Sequence, residues 1–223
     1  MTFIYDRSNC YVMNIPEKKP RRLGRPPKDA AGYNETRESL LRAGVEILTE
    51  KGFSSTGIDE ILRRVGVPKG SFYHFFGSKE VFGAELVERY AAYFADKLDR
   101  FLLDSRLPPL QRLQAFMHDA RSGMARHEFK RGCLVGNLGQ EMGTLPASFR
   151  EQLKAVFHDW QSKVASCLEE AKRAGEISAA AECQQLAATF WIGWEGAILR
   201  AKLEGSPEPL DLFANFFLAG VRK

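Results

Sequence analysis

Residue types whose spacing could do chemistry gather in a few stretches of the chain. Between Pro68 and Gly77 the run Lys69-Gly70-Ser71-Phe72-Tyr73-His74-Phe75-Phe76 mixes two kinds of side chain. Wound as a helix, it turns Phe72, Phe75 and Phe76 inward. Lys69, Gly70, Ser71, Tyr73 and His74 then face out near the N-terminus, suited to base edges and phosphates. Gly70 would let a backbone come close, and Tyr73 offers a ring for a thymine methyl and a hydroxyl for a phosphate. Cys133 follows Lys130 and Arg131. Neighbouring cations and a helix N-terminus lower a thiol pKa, which would let this sulfur add to an α,β-unsaturated carbonyl or be oxidised. The competing reading is a small buried hydrophobe. Glu195 has Trp191, Ile192, Ile198 and Leu199 at its i±3 and i±4 positions, so no ion pair along its own helix is open to it. Its partner must come from another helix, another subunit or a ligand, because a buried unpaired carboxylate is costly. Arg200, by contrast, has Glu204 four residues on.

The elements that would hold these residues read as helices throughout. Asn34 is placed to cap a helix bearing Leu40, Leu41, Gly44, Val45, Ile47 and Leu48, with Gly52 as its terminator. Thr56, with Asp59 three residues on, caps a short helix bearing Ile58, Ile61, Leu62 and Val65. Gly66-Val67 makes a tight turn, Pro68 opens the next helix, and Ser78 caps a long one with Glu80 in its first turn. Two short helices joined this tightly have helix-turn-helix spacing, with a plain packed pair as the alternative. Thr56 and Lys79, each at a helix start, are suited to flanking phosphates. Beyond residue 83 the breakers Pro108-Pro109, Gly175, Gly205 and Pro207 divide a bundle of longer helices. The helix from about Ala181 to Glu204 is apolar almost all round, so it is covered on both faces, and a last helix carries Leu212, Phe213, Phe216 and Phe217. Gly132, Gly136, Gly139 and Gly143 recur as one helical stripe, open to close packing or to a ligand.

The chain has 223 residues and a formal charge of +4. Residues 1–79 hold 14 basic and 9 acidic side chains, whereas residues 80–223 hold 18 and 19, so the excess positive charge lies in the first third. Residues 1–33 read as a flexible basic arm in which Gly24-Arg25-Pro26 resembles an AT-hook core, placing Arg25 in a narrow minor groove. Residues 34–82 form the helix-turn-helix unit and 83–223 the second domain. The most apolar stretch, Leu186 to Leu203, is interrupted by Glu195 and Arg200, so no membrane span is expected. The four cysteines show no paired spacing and a cytoplasmic location is expected. No histidine has partners at metal-ligand spacing and no nucleophile–histidine–acid set is present, so neither a metal, nor a cofactor, nor an enzyme is expected.

The stretch Gly52–Lys79, GFSSTGIDEILRRVGVPKGSFYHFFGSK, closely resembles the DNA-binding domain of TetR/AcrR-type repressors. The resemblance implies an all-α fold, a homodimer on a palindromic double-stranded operator, and release when a small effector binds the C-terminal domain. By that likeness Thr56, Lys69, Gly70, Ser71, Tyr73, His74 and Lys79 carry the DNA contact. Met124–Gly143 (MARHEFKRGCLVGNLGQEMG) and Phe190–Glu204 (FWIGWEGAILRAKLE) look like the acrylate-responsive subgroup. More loosely, Gly132-Cys133-Leu134 looks like repressors that sense N-ethylmaleimide and related electrophiles. The candidate ligand contacts are Cys133, Asn137, Trp191, Trp194 and Glu195, with Arg121, Arg126 and His118 as cations that a carboxylate-bearing effector could meet. Two alternatives stand beside ligand release: covalent sensing through Cys133, and a constitutive DNA-binder with no effector.

Overall fold

The computed structural model describes residues 30–223, with side chains from Asn34 onward. Arg25 and the rest of the basic arm, with Cys10, lie outside the described residues. In chain order the helices are α1 Ala30–Lys51, α2 Ile58–Val65, α3 Lys69–Phe76, α4 Lys79–Leu102, α5 Pro109–Ala125, α6 Leu134–Gln140, α7 Ala147–Arg173, α8 Cys183–Glu204 and α9 Glu208–Val221. The all-α expectation is met. Among the described residues the extended pairing is a lone bridge between Ile177 and Arg222.

The helix ends follow local chemistry, with some corrections. α1 already includes Ala30, so Asn34 lies inside it and does not cap it. α2 starts after Gly57, and Thr56 does not cap it: the Thr56 hydroxyl donates to the Gly52 carbonyl at 2.6 Å. Asp59 and Glu60 in its first turn and Arg63 and Arg64 in its last complement the helix dipole. Gly66 ends it at φ +72°, a left-handed conformation that glycine adopts without strain, and its N–H bonds Leu62 O at 2.8 Å. Pro68 is the residue before α3 and is not yet helical. Ser78 caps α4 as expected, its hydroxyl accepting from Val81 N at 3.1 Å.

The glycine stripe is not one helical face. Only Gly136 and Gly139 lie in α6; Gly132 precedes it and Gly143 follows it. Cys133 is correspondingly the N-cap of this short helix and not an interior residue.

A single core joins the two halves of the chain, and α4 is the reason. Its first turns pack on the helix-turn-helix, where Phe82 meets Phe72 and Phe76 at ring distances of 5.0 and 4.7 Å. Its later turns pack on α5 and α7, where Phe94 meets Trp160 at 4.4 Å. α4 therefore runs through the division expected at residues 82–83. The buried Arg112 ties α5 to its neighbours: Nη1 donates to Leu102 O at 3.1 Å and to Glu170 at 2.7 Å, Nε to Leu107 O at 2.8 Å.

Close approach at Gly83 sets the register between α4 and the segment after α1. A Cβ there would stand 2.4 Å from the Phe53 ring and 3.0 Å from that of Phe149, both rings buried and packed on each other at 5.3 Å. Gly83→Ala is expected to lower unfolding free energy by about 1–3 kcal/mol through overpacking. Gly139→Ala, where a Cβ meets nothing within 4 Å, should be neutral or stabilising. Urea titration of both variants checks the contrast; equal effects would mean that the contact at Gly83 is not limiting.

Candidate DNA-binding face and effector cavity

α3 presents the outward set that its sequence predicts. Phe72 and Phe76 are buried, while Lys69, Gly70, Tyr73 and His74 are exposed and Ser71 is half-buried. Tyr73 braces its ring edge-on against Phe72 at 5.6 Å, so 46% exposure comes with a fixed direction. Lys69 reaches Asp59 of α2 at 3.4 Å with both groups largely in water, a weak tie that leaves its charge available. Nothing lies within 4 Å of a Cβ built on Gly70, so backbone approach there is open.

Thr56 and Lys79 do not join this face. Thr56 is buried with its hydroxyl committed to Gly52. Lys79 turns back over the Phe53 ring, 4.4 Å from its centroid, and donates to Phe53 O at 2.7 Å. Partial burial lowers its pKa. Both residues shape the turn between α1 and α2. The same turn is held from the other side by Glu141, which sequence reasoning missed. Its carboxylate accepts from Phe53 N at 2.8 Å and Ser54 N at 2.6 Å.

The C-terminus of α1 is where the DNA-binding unit meets the rest. A helix ends with carbonyls that have no intrahelical donor. Here Asn137 Nδ2 donates to Leu48 O at 3.0 Å and Thr49 O at 2.9 Å, and Gly132 N donates to Thr49 O at 3.0 Å. Lys202 of α8 adds its ammonium to Thr49 O at 3.3 Å and Glu50 O at 3.2 Å, and reaches Asn137 Oδ1 at 3.4 Å. A cation at this helix end is also favoured by the dipole. Asn137, expected as a ligand contact, thus serves as a bolt between α6 and α1. Lys202 carried no signal in the sequence, since a lysine near a helix end is ordinarily solvated.

Beside this joint lies a cavity of about 250 Å³. Its apolar wall comes from Val45 of α1, Tyr90 and Phe94 of α4, Met124 of α5, and Trp194 and Ile198 of α8, with Cys133 in the lining. Lys97, Arg126, His127 and Arg131 bring positive or titratable groups to its edge, with Glu46 opposite. Lys97 is paired with Asp119 at 2.6 Å and Arg131 with Glu46 at 3.5 Å, whereas Arg126 has no acidic partner among the described residues. Arg121 and His118 border a different, smaller cavity, and Arg121 is tied there to Asp211 at 2.7 Å. Trp191 does not line the cavity beside α1. It packs on Trp160 at 5.1 Å and Phe94 at 6.1 Å in the core.

The electrostatics around Cys133 reverse the sequence expectation. Lys130 pairs with Glu128 out in solvent and Arg131 with Glu46, so neither cation faces the sulfur. Burial, then the nearby Glu195 carboxyl, push the thiol well above its ordinary value. Gly136 N donates to the sulfur at 3.4 Å. Glu195 itself is pushed up to about 7 by burial, partly offset by the Cys133 thiol that donates to it. Its carboxyl oxygen Oε1 is shut off from solvent and unpartnered. The Tyr90 hydroxyl, held up by burial in the same way, completes the group. Sequence gave no sign of Tyr90, because a tyrosine among core aromatics looks the same whichever way its hydroxyl points.

On the far side of α8, Ile192, Leu199 and Leu203 are exposed, as are Leu212 and Phe216 of α9. Exposure of 77% at Ile192 and 78% at Phe216 leaves large apolar side chains uncovered on both of these packed helices. No described helix is long and apolar enough to cross a membrane.

Comparison with known proteins fits this layout. The family described as bacterial regulatory proteins, tetR family, matches residues 40–86, and that described as tetracyclin repressor-like, C-terminal domain, matches residues 109–217. The transcriptional regulator AcuR of Cereibacter sphaeroides is 55% identical over 92% of this chain and 92% of its own length. The repressor NemR of Escherichia coli is 31% identical over 80% of this chain and 89% of its own. A crystal structure of a regulatory protein TetR from Rhodobacter sphaeroides superposes with a TM-score of 0.82 at 55% identity, covering 83% of this chain and 98% of the other. That of reduced Escherichia coli NemR gives 0.77 at 29% identity, covering 85% and 97%. The chain belongs to the TetR family of DNA-binding transcriptional regulators.

Proposed function

We propose that this chain is a dimeric repressor whose grip on a palindromic operator is released by a small effector held in the cavity beside α1. The observation that carries this reading is the shared wall. Val45 and Thr49 of α1 line the cavity, and the Thr49 carbonyl is the one that Gly132, Asn137 and Lys202 all hold. A molecule entering the cavity must press on the helix that carries α2 and α3. Operator affinity then falls by the effector's preference for the displaced state over the DNA-bound one.

The size and lining of the cavity favour a compact effector with an apolar body and an anionic or carbonyl end. The body would lie on Tyr90, Phe94, Met124 and Trp194, and the polar end would meet Arg126. An acrylate-like molecule, as the sequence resemblance suggests, fits that description. On DNA, Lys69, Gly70, Ser71, Tyr73 and His74 would enter the major groove, and two copies would address half-sites about 34–36 Å apart. Thr56 and Lys79 support that face from within. The reading as a constitutive DNA-binder is disfavoured by the cavity, which a protein without an effector has no need to keep.

Two measurements test the proposal. Tyr73→Ala should weaken binding to a palindromic duplex, selected by the protein from a random-sequence pool, by at least tenfold in fluorescence anisotropy while leaving the melting temperature unchanged. Unaltered affinity would take α3 out of the interface, and an operator affinity indifferent to acrylate-like compounds would remove the effector. Phe216→Glu combined with Ile192→Glu should convert a dimer to a monomer in sedimentation velocity. A variant that stays dimeric would move the subunit contact off these exposed side chains of α8 and α9.

A further inference from the structure

We propose that the pit between α5 and α9 is a second small-molecule site, and that it takes a neutral single-ring carboxamide. The inference stands apart from the effector reading, since it concerns a different cavity with a different arrangement of charge.

The pit holds about 200 Å³. An apolar cavity of about 150 Å³ takes up benzene, so a single ring fits this volume. The floor is formed by Met117 of α5, Trp194 of α8, and Leu210 and Leu218 of α9, each at most 5% exposed. The rim is polar along both edges. Gln114, His118 and Arg121 come from successive turns of α5, and Asp211 and Asn215 from successive turns of α9. Gln114, His118 and Asn215 are open to solvent, while Arg121 and Asp211 sit lower, half-buried. A slot with an apolar bottom and polar groups converging at its mouth covers a small ring and fixes its orientation.

The ion pair on the rim decides the charge of the ligand. Arg121 Nε donates to Asp211 Oδ1 at 2.7 Å, so the guanidinium charge is already balanced. Its two terminal amino groups and Asp211 Oδ2 have no hydrogen-bond partner among the described residues. The pair therefore offers donors and an acceptor side by side. A carboxamide matches both, its carbonyl oxygen accepting from Arg121 and its NH2 donating to Asp211. A carboxylate would meet Arg121 but face the Asp211 charge, and an ammonium group would face that of Arg121. Both side chains are partly in water, which keeps this discrimination modest. The cavity beside α1 differs, because Arg126 at its edge has no acidic partner among the described residues. Two cavities of similar size thus favour ligands of different charge. Trp194 belongs to both walls, so an occupant of the pit bears on a side chain that also bounds the cavity beside α1.

The test uses the full-length protein with isotope-labelled methionine methyl groups, followed by NMR, with benzamide as the probe and benzoate as its charged counterpart. Met117 floors the pit and Met124 lines the cavity beside α1, so their methyl signals report the two cavities separately. Met117→Leu and Met124→Leu assign those signals. Benzamide should shift the Met117 methyl to saturation with a Kd in the millimolar range, the affinity open to a ligand this small. Benzoate should bind the pit at least fivefold more weakly. Asp211→Asn should close that gap or reverse it, because Arg121 then presents an unbalanced charge. A Met117 methyl that never saturates, or a Met124 methyl that moves at lower benzamide concentration, would overturn the site. Benzoate binding the pit as tightly as benzamide would overturn the ligand class, and so would an Asp211→Asn protein that keeps the wild-type preference. If that variant fails to fold, the wild-type ratio of benzamide to benzoate affinity decides the matter alone.

Discussion

The carbonyl end of α1 is the constraint on which the rest of the molecule depends. Helix α1 is the platform for α2 and α3, and its last carbonyls need donors once they are removed from water. Gly52 N and Ser55 Oγ supply donors to Leu48 O and Lys51 O from within the unit, and the others come from outside it: the Asn137 amide, the Gly132 N–H and the Lys202 ammonium. Thr49 O holds three of these donors at once, so losing one leaves the carbonyl satisfied but removes one of the bonds that fix its direction. The recognition helix is therefore oriented by polar bonds that have direction, in addition to apolar packing that has little. A joint of this kind can transmit a small displacement, since its hydrogen bonds either align or break.

The cavity draws its character from the same economy of buried polar groups. Glu195 sits where no cation can reach it, and burial raises its proton affinity until it titrates near neutrality. Cys133 shifts the same way for the same reason, first by desolvation and then by the neighbouring carboxyl. The thiol donates to the carboxyl, so the two buried groups partly satisfy each other. Lys130 and Arg131, adjacent to Cys133 in sequence, contribute nothing to this because their own acidic partners hold them elsewhere.

What the sequence disclosed and what it withheld divide along physical lines. Helix periodicity, breakers and the α2–α3 turn are local, so the all-α architecture and the outward set on α3 were legible before any coordinates. Groups whose role is set by a distant chain segment were not. Thr56 and Lys79 have the sequence position of phosphate contacts, but Gly52 and Phe53 take them inward. Asn137 was picked out for the right region, but its bonds to the end of α1 depend on a segment 88 and 89 residues away. Lys202, Glu141 and Tyr90 gave no warning, because lysine and glutamate are normally surface residues and tyrosine is normally core. Glu195 was recognisable as lacking a partner on its own helix. That the missing partner would be a thiol was not.

The glycines show how these long-range demands are written into the chain even where no pattern betrays them. As a helical stripe they made little sense, and α6 is too short to carry one. Seen from the partner's side, several share one purpose. Gly136 leaves the space that Glu195 Oε2 fills, Gly132 admits the Lys202 stem at 2.7 Å from where its Cβ would be, and Gly52 admits Glu141 Oε1 at 1.9 Å. Each missing side chain lets a charged or titratable group from another element pass close to the backbone and reach its hydrogen-bond partners. At Gly52 the φ of +85° adds a second reason, since the left-handed turn that ends α1 also disfavours a side chain. Glycine at these positions serves neither helix stability nor flexibility. It gives a few polar groups passage into an otherwise closed interior, and those groups hold α1, Cys133 and the turn before α2 in fixed relation.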